Sequence, residues 1–87
     1  MFTDWKEHTS HAKGNVLDAK TRELIALAVA VTTRCESCIS AHAEEAVKAG
    51  ASEAEVAAAL ATAIALNAGA AYTYSLRALE AYSVQKA

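Results

Sequence analysis

The sequence predicts an all-α fold, and three observations lead to that prediction. It contains no proline and only three glycines, and no segment alternates apolar and polar residues for the length of a strand. Apolar residues recur instead at intervals of three and four along most of the 87 residues. Alanine, which has the highest helix propensity, occurs 23 times. We therefore expect one helical domain spanning residues 1–87, a bundle of about five helices.

Capping signals predict the first two helices. Thr3 is a candidate N-cap for a short helix over residues 4–12, which the glycine at Gly14 ends. Asp18 is a good N-cap for a second helix over about residues 19–32, in which leucine, isoleucine and valine fall on one face.

The third and fourth helices are separated by a glycine stop and a capping box. The third begins at the break around Cys35–Ser37 and ends at Gly50, a residue type that favours the helix C-terminus. Ser52 followed by Glu55 is the capping-box pattern, in which each residue's side chain accepts from the other's backbone N–H. It predicts a fourth helix over about residues 53–67.

A fifth helix is predicted over about residues 70–84, separated from the fourth by Gly69. Tyr72, Leu76 and Leu79 lie at helical spacing within it, and we expect them to form a core stripe.

The predicted core is large in residue count but small in volume. Leucine, isoleucine and valine together number only 16, and a domain of this size buries a modest share of its surface. The fourth helix has almost no polar face between Glu55 and Asn67, so it needs apolar neighbours on every side. Two cysteines three residues apart close too short a loop to stabilise a fold. We therefore expect a homo-oligomer in which other subunits complete the core.

Charge and hydropathy exclude several classes of partner. Eight basic residues against ten acidic ones give a formal charge of −2, which does not favour nucleic acid. The polar N-terminal segment does not resemble a signal peptide. The longest apolar stretch, Val56–Leu66, is shorter than a membrane span. We expect a soluble, cytoplasmic protein that binds neither nucleic acid nor membrane.

Reactive side chains are concentrated in one short segment that contains Cys35, Cys38 and His42. Positions three, four and seven residues apart share one face of a helix. The helix N-terminus favours a thiolate at Cys35, and a neighbouring imidazole can take the proton of Cys38. Two thiols at this spacing can also close a local disulfide. The pattern predicts a dithiol redox site.

Glu23 is a candidate fourth member of this site. It lies on the second predicted helix, which we expect to pack against the third, where a carboxylate would orient His42 and complete a Glu–His–Cys proton relay. The alternative is a solvated glutamate in the first turn of the helix, and the neighbouring Lys20 and Arg22 fit that interpretation equally well.

Two other interpretations of the cysteine pair remain open. A zinc site would need a further ligand beside His42, which His8, His11 or Glu23 could supply. Alternatively, both cysteines are buried and chemically inert. A thioredoxin fold is not predicted, because the βαβ pattern around its cysteine motif is missing.

One spacing, E-x11-C-x2-C-x3-H, joins four reactive residues of this chain: Glu23, Cys35, Cys38 and His42. With this signature the sequence resembles the carboxymuconolactone decarboxylase / alkylhydroperoxidase D family, in its peroxidase-like branch. Asp18–Ala30, Ala41–Val56 and the alanine-rich segment that follows are similar to the family core. The resemblance covers roughly residues 16–80.

The resemblance implies an all-α fold of intertwined subunits in a homo-trimer or homo-hexamer. It implies that Cys35 and Cys38 are a redox pair that reduces hydroperoxides and that His42 and Glu23 relay protons. We expect no bound cofactor or metal. The resemblance also implies an external dithiol reductant, for which family precedent suggests the lipoyl type. Ser37 departs from the best-known peroxidase members, which have a histidine before the second cysteine. A non-catalytic oligomer that senses redox state or binds zinc is the alternative.

Overall fold

The computed structural model describes Trp5 and residues 16–87, and it is helical wherever regular structure occurs in that part of the chain. Three helices follow one another: α1 over Ala19–Thr32, α2 over Glu36–Lys48 and α3 over Glu53–Lys86. The predicted all-α class is therefore confirmed. The predicted first helix over residues 4–12 lies outside the described residues, except that Trp5 is helical.

Helix α1 begins at the predicted cap and ends in a tight reversal. The Asp18 carboxylate accepts a hydrogen bond from the Thr21 N–H at 2.8 Å, and this bond holds the pKa of Asp18 below its ordinary value. At the other end, Arg34 takes a left-handed conformation with φ 56°. The Cys35 N–H then donates to the Ala30 carbonyl at 3.0 Å. This reversal turns α2 back along α1.

The connection from α2 to α3 uses the predicted glycine and capping box. Gly50 has φ 84°, and the Ala51 N–H donates to the Ala46 carbonyl at 3.0 Å. The Glu55 N–H donates to Ser52 Oγ at 3.1 Å, and the Ser52 N–H donates to Glu55 Oε1 at 2.9 Å. Both halves of the capping box are therefore present.

The prediction of separate fourth and fifth helices was wrong, because α3 runs unbroken through Gly69 for 34 residues. Its length is about 51 Å at the usual rise per residue. A glycine ends a helix when it adopts the left-handed conformation, and among the described glycines only Gly50 does so. Within a helix, glycine costs only about 1 kcal/mol relative to alanine.

The buried core of the described chain is small and centres on α1, which packs against both other helices. The buried apolar residues are Leu27, Ala30, Ala46 and Ala63. The prediction of a core stripe on the second half of α3 is wrong for the single chain. Tyr72, Leu76 and Leu79 are exposed there, because that half of α3 has no helix of the described chain packed over it.

The unbroken α3 is long and apolar enough, by length and composition alone, to cross a membrane. Its most apolar window of 18 residues has a mean hydropathy of 1.5 and is 6% buried. A helix that packs inside a soluble assembly meets the same criterion, so this property does not by itself indicate a membrane protein.

An ion pair ties the start of α1 to the start of α3. Lys20 Nζ lies 2.9 Å from Glu55 Oε2. The ammonium group, followed by the Ser52 N–H, lowers the pKa of Glu55 below its ordinary 4.5, and the carboxylate in turn raises the pKa of Lys20.

Glu55→Gln is expected to lower stability near neutral pH and to have no effect in acid. Because the pKa of Glu55 is depressed by folding, its contribution is present above about pH 4.5 and is lost as the pH falls through the lower folded value. Urea unfolding of both proteins between about pH 7 and about pH 3 measures this difference. Glu53→Gln removes a charge from the same turn outside the Lys20 pair and is the control. A difference independent of pH would contradict the assignment.

Gly69→Ala is expected to stabilise the protein by roughly 0.5–1 kcal/mol, because alanine loses less backbone entropy in a helix. A Cβ at Gly69 would meet nothing within 4 Å. Gly50→Ala is the matched control and should destabilise, since φ there is 84°. Thermal and urea denaturation measure both variants. Destabilisation by Gly69→Ala would contradict an open, uninterrupted helix at this position.

Candidate redox active site

The two cysteines lie at the N-terminus of α2 and form a disulfide. Cys35 is the N-cap, Cys38 lies one turn into the helix, and their Cα atoms are 5.2 Å apart. Cys35 Sγ accepts the Cys38 N–H at 3.3 Å and lies 3.6 Å from Ser37 Oγ. When the disulfide is reduced, these groups and the helix dipole favour negative charge on Cys35.

Glu23 and His42 meet across the contact between α1 and α2. Glu23 Oε1 lies 2.6 Å from His42 Nδ1, and Glu23 is 5% exposed while the His42 side chain is 40% exposed. An ionised carboxylate only accepts hydrogen bonds, so it holds the proton on Nδ1 and leaves Nε2 as the basic nitrogen. The alternative of a solvated Glu23 is therefore not what the structure contains.

A groove of about 560 Å³ runs between α1 and α2 beside this pair. Cys38 and His42 line it from α2, and Ile25, Ala26 and Val29 contribute an apolar wall from α1. Of the two cysteines, Cys38 is the one that lines the groove. A substrate in the groove therefore meets Cys38 beside the imidazole.

The structure thus brings together the four residues singled out from the sequence. Glu23 and His42 are in direct contact, the two sulfurs are bonded, and Glu23, Cys38 and His42 line one groove. These contacts agree with the predicted arrangement, while the catalytic roles remain predictions. Within the described part of the chain, no three His, Cys, Asp or Glu side chains are grouped to hold a metal. The suggested ligands His8 and His11 lie outside the described residues.

Sequence reasoning missed the part of α1 that forms the other wall. Arg22 and Thr33 also line the groove, and they were not assigned to the site. Ile25, Ala26 and Val29 follow Arg22 at helical intervals of three, four and seven, so a shared face was readable from the sequence. The spacing does not reveal that α2 leaves this face open.

A comparison with known families settles the relationship. The model of the carboxymuconolactone decarboxylase family matches residues 1–81. This chain belongs to that family. The predicted relationship is therefore confirmed, and the cysteine pair typical of the peroxidase-like members is present in this family member.

One relative of this family member is a protein of Haemophilus influenzae named only as uncharacterized. The two are 76% identical over 113 aligned positions, which cover all of both chains. Because the alignment is longer than the 87 residues of this chain, the relative contains residues that have no counterpart here.

Glu23→Gln is expected to slow alkylation of the reduced cysteines about tenfold near neutral pH, because His42 loses the carboxylate that orients it. The rate with iodoacetamide, followed by mass spectrometry, measures the effect. Glu44→Gln, which removes a surface carboxylate paired with Lys48, is the matched control and should react like the wild type. Equal rates for the wild type and Glu23→Gln would contradict a functional role for the Glu23–His42 contact.

Proposed function

We propose that this protein is a thiol-dependent hydroperoxidase that works as a thiol–disulfide oxidoreductase. The observation that carries the proposal is the Glu23–His42 hydrogen bond of 2.6 Å in the groove that Cys38 lines. A buried carboxylate, an imidazole and a thiol in one groove are the groups that proton-assisted thiolate chemistry needs.

Cys38 is the proposed attacking thiol, because it lines the groove together with His42. His42 takes the thiol proton, and the Cys38 thiolate attacks the terminal oxygen of the hydroperoxide, the one that bears hydrogen. The O–O bond breaks, Cys38 becomes a sulfenic acid, and the alkoxide receives the proton held by His42. The sulfur is oxidised and the peroxide is reduced by two electrons.

Cys35 is the proposed resolving thiol. Its thiolate attacks the Cys38 sulfur and expels the sulfenic hydroxyl as water after protonation, which gives the Cys35–Cys38 disulfide. One sulfur of an external dithiol, of lipoyl type by family precedent, then attacks Cys38 and forms a mixed disulfide, and its second sulfur displaces Cys38 and closes the disulfide of the oxidised reductant. Cys35 leaves as a thiolate favoured by the Cys38 N–H.

Ser37 supports the proposal that Cys38 attacks and Cys35 resolves. It stands where peroxidase members of the family have a histidine, and its Oγ lies 3.6 Å from Cys35 Sγ. A hydroxyl donor favours a thiolate on Cys35, although it cannot exchange protons near neutral pH as an imidazole does.

The proposal includes a cytoplasmic homo-oligomer, a trimer or a hexamer. The small buried core and the exposed apolar residues on the second half of α3 support self-association. A reducing cytoplasm supports a cycle in which the disulfide is opened in each turnover.

Replacing each cysteine by serine tests the reaction and the two roles. Both Cys35→Ser and Cys38→Ser are expected to abolish repeated turnover of hydroperoxide in the presence of a dithiol. Reduced Cys35→Ser should still consume one equivalent of peroxide and leave a sulfenic acid on Cys38, because attack precedes resolution. Peroxide consumption per subunit and mass spectrometry after dimedone trapping measure these outcomes.

Retention of wild-type turnover by both variants would overturn the enzyme proposal. A single equivalent consumed by Cys38→Ser instead of Cys35→Ser would reverse the roles. Disulfide formation without repeated turnover in the wild type would favour the alternative of a redox-sensing protein. Stoichiometric zinc that protects the thiols from alkylation would favour the metal-binding form of that alternative.

A further inference from the structure

The groove beside Cys38 is much larger than a small hydroperoxide requires. Its volume of about 560 Å³ is within the range of pockets that enclose molecules of drug or lipid size. Lining residues on α1 recur along one face from Arg22 to Thr33, a distance of about 16 Å along the helix axis. The groove therefore has room for an extended chain.

The middle of the wall along α1 is apolar, with Arg22 and Glu23 at one end and Thr33 at the other. Leu17, Ile25, Ala26 and Val29 supply aliphatic surface, and burying such surface favours an aliphatic ligand chain. Cys38 and His42 lie across the groove on α2, and Glu23 contacts His42 from α1. The chemistry of the wall thus fits an aliphatic chain whose reactive group faces Cys38.

Arg22 places a guanidinium in the groove that makes no ion pair with a described side chain. Its Nε donates to the Leu17 carbonyl at 3.4 Å, which holds the guanidinium at that end of the groove. None of the ion pairs among residues 16–87 includes Arg22. Glu23, the carboxylate in the groove, is paired with His42. Arg22 is therefore the charged lining residue whose head group has no charged partner among residues 16–87, and it is only partly exposed to solvent.

The helix register gives the offset along α1 between the position of Arg22 and the position opposite Cys38. Contacts of Ala30 with Cys35 and of Glu23 with His42 run antiparallel, which brings Cys38 opposite Leu27. Arg22 is five residues from Leu27, or about 7 Å along α1. A ligand carboxylate at Arg22 and a reactive group at Cys38 would thus lie several carbon atoms apart.

We propose that Arg22 anchors a carboxylate and that the groove takes substrates in which an aliphatic chain joins this carboxylate to the group that reacts at Cys38. This inference rests on the proposed function and names the substrate class of the same site. Guanidinium groups bind carboxylates through paired, charge-assisted hydrogen bonds, which an ester or an amide replaces poorly. The carboxylate belongs to the hydroperoxide or to the reducing dithiol.

Binding of an unreactive carboxylate tests the anchor without turnover. Isothermal titration of the disulfide form with octanoate and with octanamide compares equal chains that differ in charge. The wild type is expected to bind octanoate about tenfold more tightly than octanamide. Arg22→Gln is expected to bind octanoate and octanamide with equal affinity. Arg77→Gln removes the same charge from the exposed face of α3, where Arg77 lies 5.3 Å from the Tyr74 ring, and should keep the preference.

Ionic strength gives a second measurement that needs no variant. The preference of the wild type for octanoate should shrink as salt rises, because salt screens the partly exposed guanidinium. Equal affinity of the wild type for octanoate and octanamide would overturn the anchor, and so would a preference retained by Arg22→Gln. Such a result would indicate that another part of this chain or a second copy fills the groove.

Kinetics distinguish the two sources of the carboxylate. One arm compares a medium-chain fatty-acid hydroperoxide with its methyl ester at a fixed dithiol concentration. The other compares dihydrolipoate with dihydrolipoamide at a fixed hydroperoxide concentration. A preference for the acid of about tenfold in kcat/KM in either arm, lost in Arg22→Gln, supports the proposal and identifies which substrate carries the carboxylate.

Turnover without a preference in either arm overturns the Arg22 anchor and leaves the hydroperoxidase function intact. Octanoate binding without turnover of any hydroperoxide would leave the anchor intact and overturn the function.

Discussion

The hydrogen bond between Glu23 and His42 is the contact on which the site depends. A carboxylate that is 5% exposed is unfavourable unless a polar partner compensates for the loss of water, and His42 is such a partner at 2.6 Å. The pair joins α1 to α2 at the level of the groove. This contact therefore helps to hold α2 against α1, orients the imidazole and gives a reason for a glutamate on a helix face that is otherwise largely apolar.

Helix caps and periodicity were sufficient to predict most of the fold. The caps at Asp18 and Ser52 and the stop at Gly50 gave the bounds of α1, α2 and the start of α3 nearly to the residue, because each acts through hydrogen bonds or backbone conformations local to the chain. The prediction that a helix ends at Gly69 failed, because the local signal there is ambiguous. Glycine is compatible with a helix end but does not impose one, and the conformation depends on the helical residues on both sides.

The part of the candidate site that depends on spacing along one helix could be predicted from the sequence. Cys35, Cys38 and His42 share a face of α2 whatever the tertiary structure. The state of Glu23 was ambiguous, because a first-turn glutamate beside a lysine and an arginine fits the surface equally well, and only the packing of α1 on α2 decides. Arg22 lines the groove because α1 and α2 leave space between them at this point. The residue pattern within one helix does not predict such a space.

The short span of the disulfide separates the redox state of this protein from its folding. Cys35 and Cys38 belong to one helical turn, and their Cα atoms stay 5.2 Å apart because the N-cap geometry holds them there. Closing such a small ring removes little freedom from an unfolded chain. The disulfide therefore adds little to the stability of the fold. The proposed dithiol chemistry would thus be confined to a single helical turn at the start of α2.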